Sequence, residues 1–302
     1  MVQIRSRHER YNVTPYDIIQ LLQKHEKWLQ GKPGGEQANF SKQDLSGLDL
    51  SGANLSRARM DGATLISCNL SNANLEKASL YAANLSQSTL KNANLARADM
   101  HGVNLNKADL TGANMEGVDL REGRLAEAGK DGSWALVGSD LGHSVLDEAI
   151  LKGANLTRAY MKGCSAVGAD LSGATLVGVK LQRANLHGSN LSGSNLSGAN
   201  LGDTVLSNCN LSGANLVKTH VTGADFSNAD LSESDLRMSD LSKSKLVNVR
   251  MENANLEFAT LTGSNLQESN LEGAKMRGVY AGEVSFTNAN LEDVDLTEAN
   301  LR

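Results

Sequence analysis

The chain has 302 residues, a net charge of −5 and a sequence pI near 5.7, a balance that excludes the broad basic surface of a nucleic-acid-binding protein. No apolar run reaches the length of a membrane-spanning helix, and the N-terminus has no signal-peptide core. Three cysteines, Cys68, Cys164 and Cys209, are too few for a disulfide framework and point to a reducing compartment, with a bacterial cytoplasm as the default expectation.

Residues 1–37 stand apart from the rest of the chain. Arg5, Arg7, Arg10 and His8 give residues 1–13 a short basic tail. Thr14-Pro15 reads as the N-cap and first position of a helix, and Ile18, Ile19, Leu22, Trp28 and Leu29 give that helix an apolar face. Gly31 and Pro33-Gly34-Gly35 end it. Its expected role is to cover the exposed end of the array that begins after it.

From residue 38 the chain counts in fives, as in Ala53-Asn54-Leu55, Ala73-Asn74-Leu75 and Ala93-Asn94-Leu95. Large apolar centres run from Phe40 to Leu125 and resume from Leu136 to Leu301. Of these 52 centres 40 are Leu, so the period is a packing rule rather than a compositional accident. The residue two before the centre is usually Ala and otherwise mostly Ser, Thr, Val, Cys or Gly, and each cysteine takes that place. Period five suits neither a helix nor a strand. It suits a chain that turns a corner once per pentad, so that four pentads close a square coil of 20 residues.

A second periodicity, at 20 residues, supports this coil. Asn54, Asn74, Asn94 and Asn114 form one column, and Arg57, Lys77 and Arg97 another. Stacked coils separated by the strand spacing of about 4.8 Å would give about 13 coils and a rod of roughly 60 Å. The residue two after the centre is often Gly or Asn, as at Gly52, Asn72 and Gly112, which suits the positive φ of a type II turn. Where Arg, Lys, Glu or Ser stands there, a turn without positive φ is expected.

The repeat breaks once. Residues 126–135, Ala-Glu-Ala-Gly-Lys-Asp-Gly-Ser-Trp-Ala, separate Leu125 from Leu136, eleven residues and not ten. Either one residue bulges or about ten leave the wall as a loop. Trp134 then falls at a small inward position where it does not fit, so a protruding loop or kink is expected, with Lys130, Asp131 and Trp134 as candidate partner-binding residues. The segments are therefore 1–37 (tail and helix), 38–125 (first array), 126–135 (loop or register slip) and 136–302 (second array).

These residues carry a resemblance. The Ala-Asn/Asp-Leu-x-x unit, over most of the chain, resembles the pentapeptide-repeat family. The resemblance implies an all-β solenoid, a right-handed quadrilateral β-helix, here with an N-terminal α-helical cap. The spacing itself gives a square coil and not its hand. In gyrase-targeting members, loops projecting from the coil matter for activity.

Beyond the repeat, chemistry is sparse. His101, His143, His187 and His220 lie at outward positions on scattered coils, and no metal, nucleophile or phosphate-loop pattern emerges, so no enzymatic activity and no cofactor is expected. Ser172, Ser192, Ser212 and Ser232 make a hydroxyl ladder. Glu252, Glu272 and Glu292 form an acidic column beside Glu233 and Asp293, a face that would suit a basic partner. The array runs to Leu301-Arg302 with no closing helix, and the favoured expectation there is a homodimer through the C-terminal coils. The functional expectation is a non-enzymatic protein–protein interaction scaffold for an unknown protein partner, without direct nucleic-acid or membrane contact. The alternative is a DNA-mimicking binder of DNA gyrase or topoisomerase IV. Weak net charge, length, Leu rather than Phe centres and the missing C-terminal helix weigh against it.

Overall fold

The computed structural model describes residues 15–126 and 134–302, and it divides into two compact units, Met1–Asn155 and Leu156–Arg302. The first unit holds helix α1 (Pro15–Leu29), strand β1 (Gly123–Ala126) and strand β2 (Trp134–Val137). The second is built wholly from the repeat.

In both units the wall is made of single-residue parallel bridges, one per pentad, between residues 20 apart: Asn54 with Asn74 and Asn74 with Asn94 in the first unit, Asn195 with Asn215 in the second. Each bridge uses two backbone hydrogen bonds. Leu55 N–H donates to Asn74 C=O at 2.7 Å, and Asn74 N–H donates to Ala53 C=O at 2.9 Å. A chain that turns this often must pair its backbone groups between coils, because a buried, unpaired amide costs about as much as a lost hydrogen bond.

The residue before a centre is most often Asn or Asp, for a local reason. Its side-chain oxygen accepts the N–H two residues on, as Asp49 Oδ1 does from Ser51 at 3.0 Å and Asn215 Oδ1 from Val217 at 3.0 Å. This side-chain turn leads into a backbone turn in which the centre's C=O accepts from three residues on, as Leu55 does from Ala58 at 3.0 Å.

The corners correct one expectation. Arg57, Lys77 and Arg97 take φ of 60°, 56° and 56°, and Ser67 and Glu233 are likewise positive. The wall imposes this. Arg57 N–H must reach Glu76 C=O on the next coil, at 2.8 Å, while the turn closes behind it. A left-handed conformation costs a residue with a Cβ about 1–2 kcal/mol, less than leaving both bonds unmade. Side chains at these corners lean along the column toward the next coil. Arg97 lies over Gly117 and Phe258 over Gly278, where an added Cβ would stand 2.7 Å from the Phe ring.

The centre and the residue two before it both face inward and are buried along the wall, save at Gln43, which is half-buried, and in the last coil, where Leu291, Leu296 and Leu301 are exposed. Cys68, Cys164 and Cys209 are buried at the small positions, and burial pushes the Cys68 thiol up to about 11. Several serines at these positions give their hydroxyl to a carbonyl, as Ser239 Oγ does to Leu236 C=O at 2.6 Å and Ser244 Oγ to Val221 C=O at 2.7 Å, while the buried Ser194 and Ser264 hydroxyls have no such partner.

Helix α1 starts at Pro15, whose missing N–H suits a first helical position. It ends in a Schellman arrangement, with Gly31 at φ 65° donating to Trp28 C=O and Lys32 to Lys27 C=O. Ile18 is buried, and Ile19, Leu22, Trp28 and Leu29 are half-buried. The residue that ties the helix to the coils is one the periodicity does not single out. His25 is fully buried and stacks on Trp28 with centroids 5.5 Å apart. Its Nδ1 accepts from Ala38 N–H at 3.1 Å, so Nε2 carries the hydrogen and donates to Ser56 C=O at 2.9 Å.

Both the tube and its helix can be probed by substitution. Leu196→Ala, in a closed tube that cannot collapse, should cost about 2–5 kcal/mol, read as a lower midpoint in urea unfolding. Burial lowers the His25 pKa below its ordinary 6.5, against the opposing pull of the Ser56 carbonyl. As pH falls the unfolded chain takes up the proton first, so the stabilisation by this contact is complete above pH 6.5 and is lost below it. The protection of the α1 amides relative to their intrinsic exchange rates should therefore fall between pH 7.5 and about 5, and should lose that dependence in His25→Gln.

Candidate functional site

The most distinctive local structure is where the chain leaves the wall. Asn104 bridges Asp140, 36 residues on instead of 20, so 16 residues are extruded. Asp109–Val145, Asn114–Ile150 and Asp119–Asn155 keep the same offset, so the coil closes again at once. Strands β1 and β2 form an antiparallel hairpin with Gly123 opposite Val137, Arg124 opposite Leu136 and Ala126 opposite Trp134. This corrects the sequence reading at both ends. Leu125 and Leu136 match the pentad spacing but are hairpin residues, and Leu136 is 63% exposed. The excursion is wider than 126–135, and wall centres resume at Leu141, which is buried. With residues 122–137 excised, Asp119-Leu120-Arg121-Gly138-Ser139-Asp140-Leu141 would read as uninterrupted repeat.

The root of the hairpin is held by groups from three coils. Tyr81 Oη accepts from Arg124 N–H and donates to Arg124 C=O at 2.7 Å. Gly123 passes so close to Gly102 that a Cβ on it would stand 3.0 Å from His101 O, so both positions need glycine. Ser139 Oγ donates to Arg121 C=O at 3.1 Å from the other side. His101 lies 6.0 Å from Tyr81, ring to ring, with Nδ1 2.5 Å from Asp99 Oδ1 and Nε2 3.4 Å from Asp119 Oδ2. Arg121 grips Asp119 with two nitrogens, at 2.7 and 3.0 Å. Burial works against the Asp119 carboxylate, but its hydrogen bonds from the Arg121 side chain and backbone, with His101 beside it, hold its pKa below the ordinary value.

The candidate partner-binding residues do not come together in one site. Lys130 and Asp131 lie outside the described residues, and of Trp134 the backbone alone is described, as the start of β2. Glu252, Glu272 and Glu292 are in the second unit, each at the first position after a centre. Glu272 and Glu292 are exposed. Glu252 is not a free charge: Asn270 Nδ2 donates to its Oε1 at 2.9 Å, and Arg250 Nε stands 3.4 Å away while reaching Asp230 at 3.3 Å. Among the described residues no three His, Cys, Asp or Glu are placed to hold a metal ion. Among them, too, no helix is long and apolar enough to cross a membrane.

Sequence reasoning passes over Tyr81 and His101, which are ordinary outward residues by position. The available signal is their column: Tyr81, His101 and Arg121 stack at spacing 20 immediately before the break, two aromatic rings where the same column elsewhere holds Ser41 and Asp61.

The family pattern described as pentapeptide repeats (8 copies) matches residues 36–72, 58–95, 83–121, 136–176, 239–278 and 264–302, and one described as a pentapeptide repeat region matches 179–256. Solved structures are similar too. HetL, a pentapeptide repeat protein involved in heterocyst differentiation regulation in the cyanobacterium Nostoc sp. strain PCC 7120, is 24% identical over 96% of this chain and 98% of its own, with a TM-score of 0.32. Full-length QnrB1, a plasmid-mediated fluoroquinolone resistance protein, is 15% identical over 88% of this chain and 93% of its own, with a TM-score of 0.29. A pentapeptide repeat protein from the Arabidopsis thaliana thylakoid lumen is 33% identical over 37% of this chain and 64% of its own, with a TM-score of 0.28. No curated protein matches the chain.

Removing one oxygen tests the root. Tyr81→Phe deletes the acceptor and donor that serve Arg124 and should speed exchange of the Arg124 amide about two- to tenfold, since an ordinary hydrogen bond contributes about 0.5–1.5 kcal/mol. Amides of the wall, such as Asn74 and Asn94, should be unchanged in the same experiment.

Proposed function

The chain belongs to the pentapeptide-repeat family, and on that premise we propose that it is a non-enzymatic protein–protein interaction scaffold, capped at its first coil by α1 and engaging a protein partner through the hairpin. The observation that carries this reading is the fixed root. An extrusion that merely accumulated in a corner has no need of Tyr81, Gly102, Gly123 and Ser139 arranged to hold its two strands in one direction. Binding loops on rigid frameworks are the common form of such sites, because a pre-ordered segment loses less entropy when it docks.

The alternative, a DNA mimic acting on gyrase or topoisomerase IV, would rest on a continuous acidic face. The contacts of Arg250 and Asn270 with Glu252 weigh against it, since they engage the first member of the one acidic column the sequence offers. A supercoiling assay in which micromolar protein changes neither gyrase activity nor its response to quinolone would dispose of that reading.

The scaffold reading is tested with a chain in which residue 121 is joined directly to residue 138. That chain should melt within a few degrees of the intact one, since the pentad it creates satisfies every wall contact. In affinity capture from the native source it should lose the partner that the intact chain retains. An identical set of captured proteins would refute the hairpin as the binding element.

A further inference from the structure

A two-stranded ribbon has two outer edges, and among the described residues only one of these two is closed. Tyr81 takes both the N–H and the C=O of Arg124, which therefore point away from β2. Because Arg124 and Leu136 are opposite each other, Leu136 and, two residues back, Trp134 turn their own N–H and C=O away from β1. That outer edge of β2 lies on the side opposite Tyr81, and Leu136 is 63% exposed. Edge strands left open in this way are ordinarily guarded by charge, proline or a bulge; Trp134-Ala135-Leu136-Val137 has none of these. An isolated pair of strands is also marginal in water, and a third strand is what makes such a sheet stable.

We infer that the outer edge of β2 is a strand-addition site, and that its occupant is an extended segment of a partner protein that pairs with the backbone of Leu136. The inference rests on the scaffold reading and specifies its partner chemically. The side chain seated beside Leu136 is apolar and uncharged. A carboxylate on the same face of the incoming strand reaches toward Arg124, the exposed cation opposite Leu136. A second copy of this chain meets the first requirement and fails the second, because its β2 brings no acid to Arg124. Main-chain hydrogen bonds supply affinity in this mode, and the alternating side chains supply selectivity.

The test is a selection from random decapeptides displayed on phage against the intact chain, followed by hydrogen exchange with the enriched peptides. Peptides alternating in apolar residues and carrying a carboxylate should slow exchange of the Leu136 amide at least tenfold. They should bind Leu136→Pro, which lacks that N–H, at least tenfold more weakly. Should proline disorder the hairpin, Leu136→Glu keeps the backbone N–H and should still weaken binding, because it repels the incoming carboxylate and competes for Arg124. Peptides that protect amides elsewhere, or that bind both variants as well as the intact chain, would overturn the inference. So would concentration-dependent dimerisation of the intact chain that Leu136→Glu abolishes, since the edge would then belong to a second copy. Native partner capture that survives Leu136→Pro but not excision of residues 122–137 would leave the scaffold reading standing and remove strand addition alone.

Discussion

The paired hydrogen bonds between one coil and the next set every other feature of this molecule. A centre's N–H reaches the carbonyl before the next centre, and the amide of that same residue returns to the small residue of the first coil, as between Leu55, Asn74 and Ala53. That exchange fixes the repeat at 20 residues and points two of every five side chains inward. It leaves the corner no choice but positive φ. Side chains then adapt to a path that the backbone has already chosen, which reverses the usual order in a globular core, where side-chain packing positions the backbone. The interior has few contacts to vary: mostly Leu or Met at the centre, and mostly Ala, Ser, Val, Thr or Cys two before it.

This division explains what is legible in the sequence. The square coil, the inward Leu and Ala, the buried cysteines and the helix beginning at Pro15 all follow from residues in fixed places, because apolar spacing and local turn chemistry are short-range signals. The corners mislead where Arg57 or Glu233 stands. Intrinsic preference argues against a left-handed residue there, and the two wall bonds override it. His25 escapes notice because its burial depends on the Ala38 and Ser56 backbone, 13 and 31 residues away.

The hairpin is harder still to read. Leu125 and Leu136 fall on the pentad spacing while belonging to strands, so the repeat hides the start and finish of its own interruption. Tyr81, which closes one edge of β1, is 43 residues from the Arg124 it serves. A contact of that range leaves no local mark. The acidic column shows the converse: Glu252 is visible as one of three aligned charges, and the arginine and asparagine that occupy it become apparent only when neighbouring coils are laid side by side.

The clean splice at Arg121 and Gly138 has a consequence for how such a protein changes over time. Closing a 36-residue coil instead of a 20-residue one raises the loop-closure entropy by only about 0.5 kcal/mol. The bridges on either side of the splice, Asn104 with Asp140 and Asp119 with Asn155, use no residue of the extruded segment. A cassette of different length or sequence could enter at the same corner without disturbing the array's assembly, and one could leave without a scar. Recognition can therefore be inherited, exchanged or discarded as a separate piece, while the coils around it continue to propagate their own order from neighbour to neighbour.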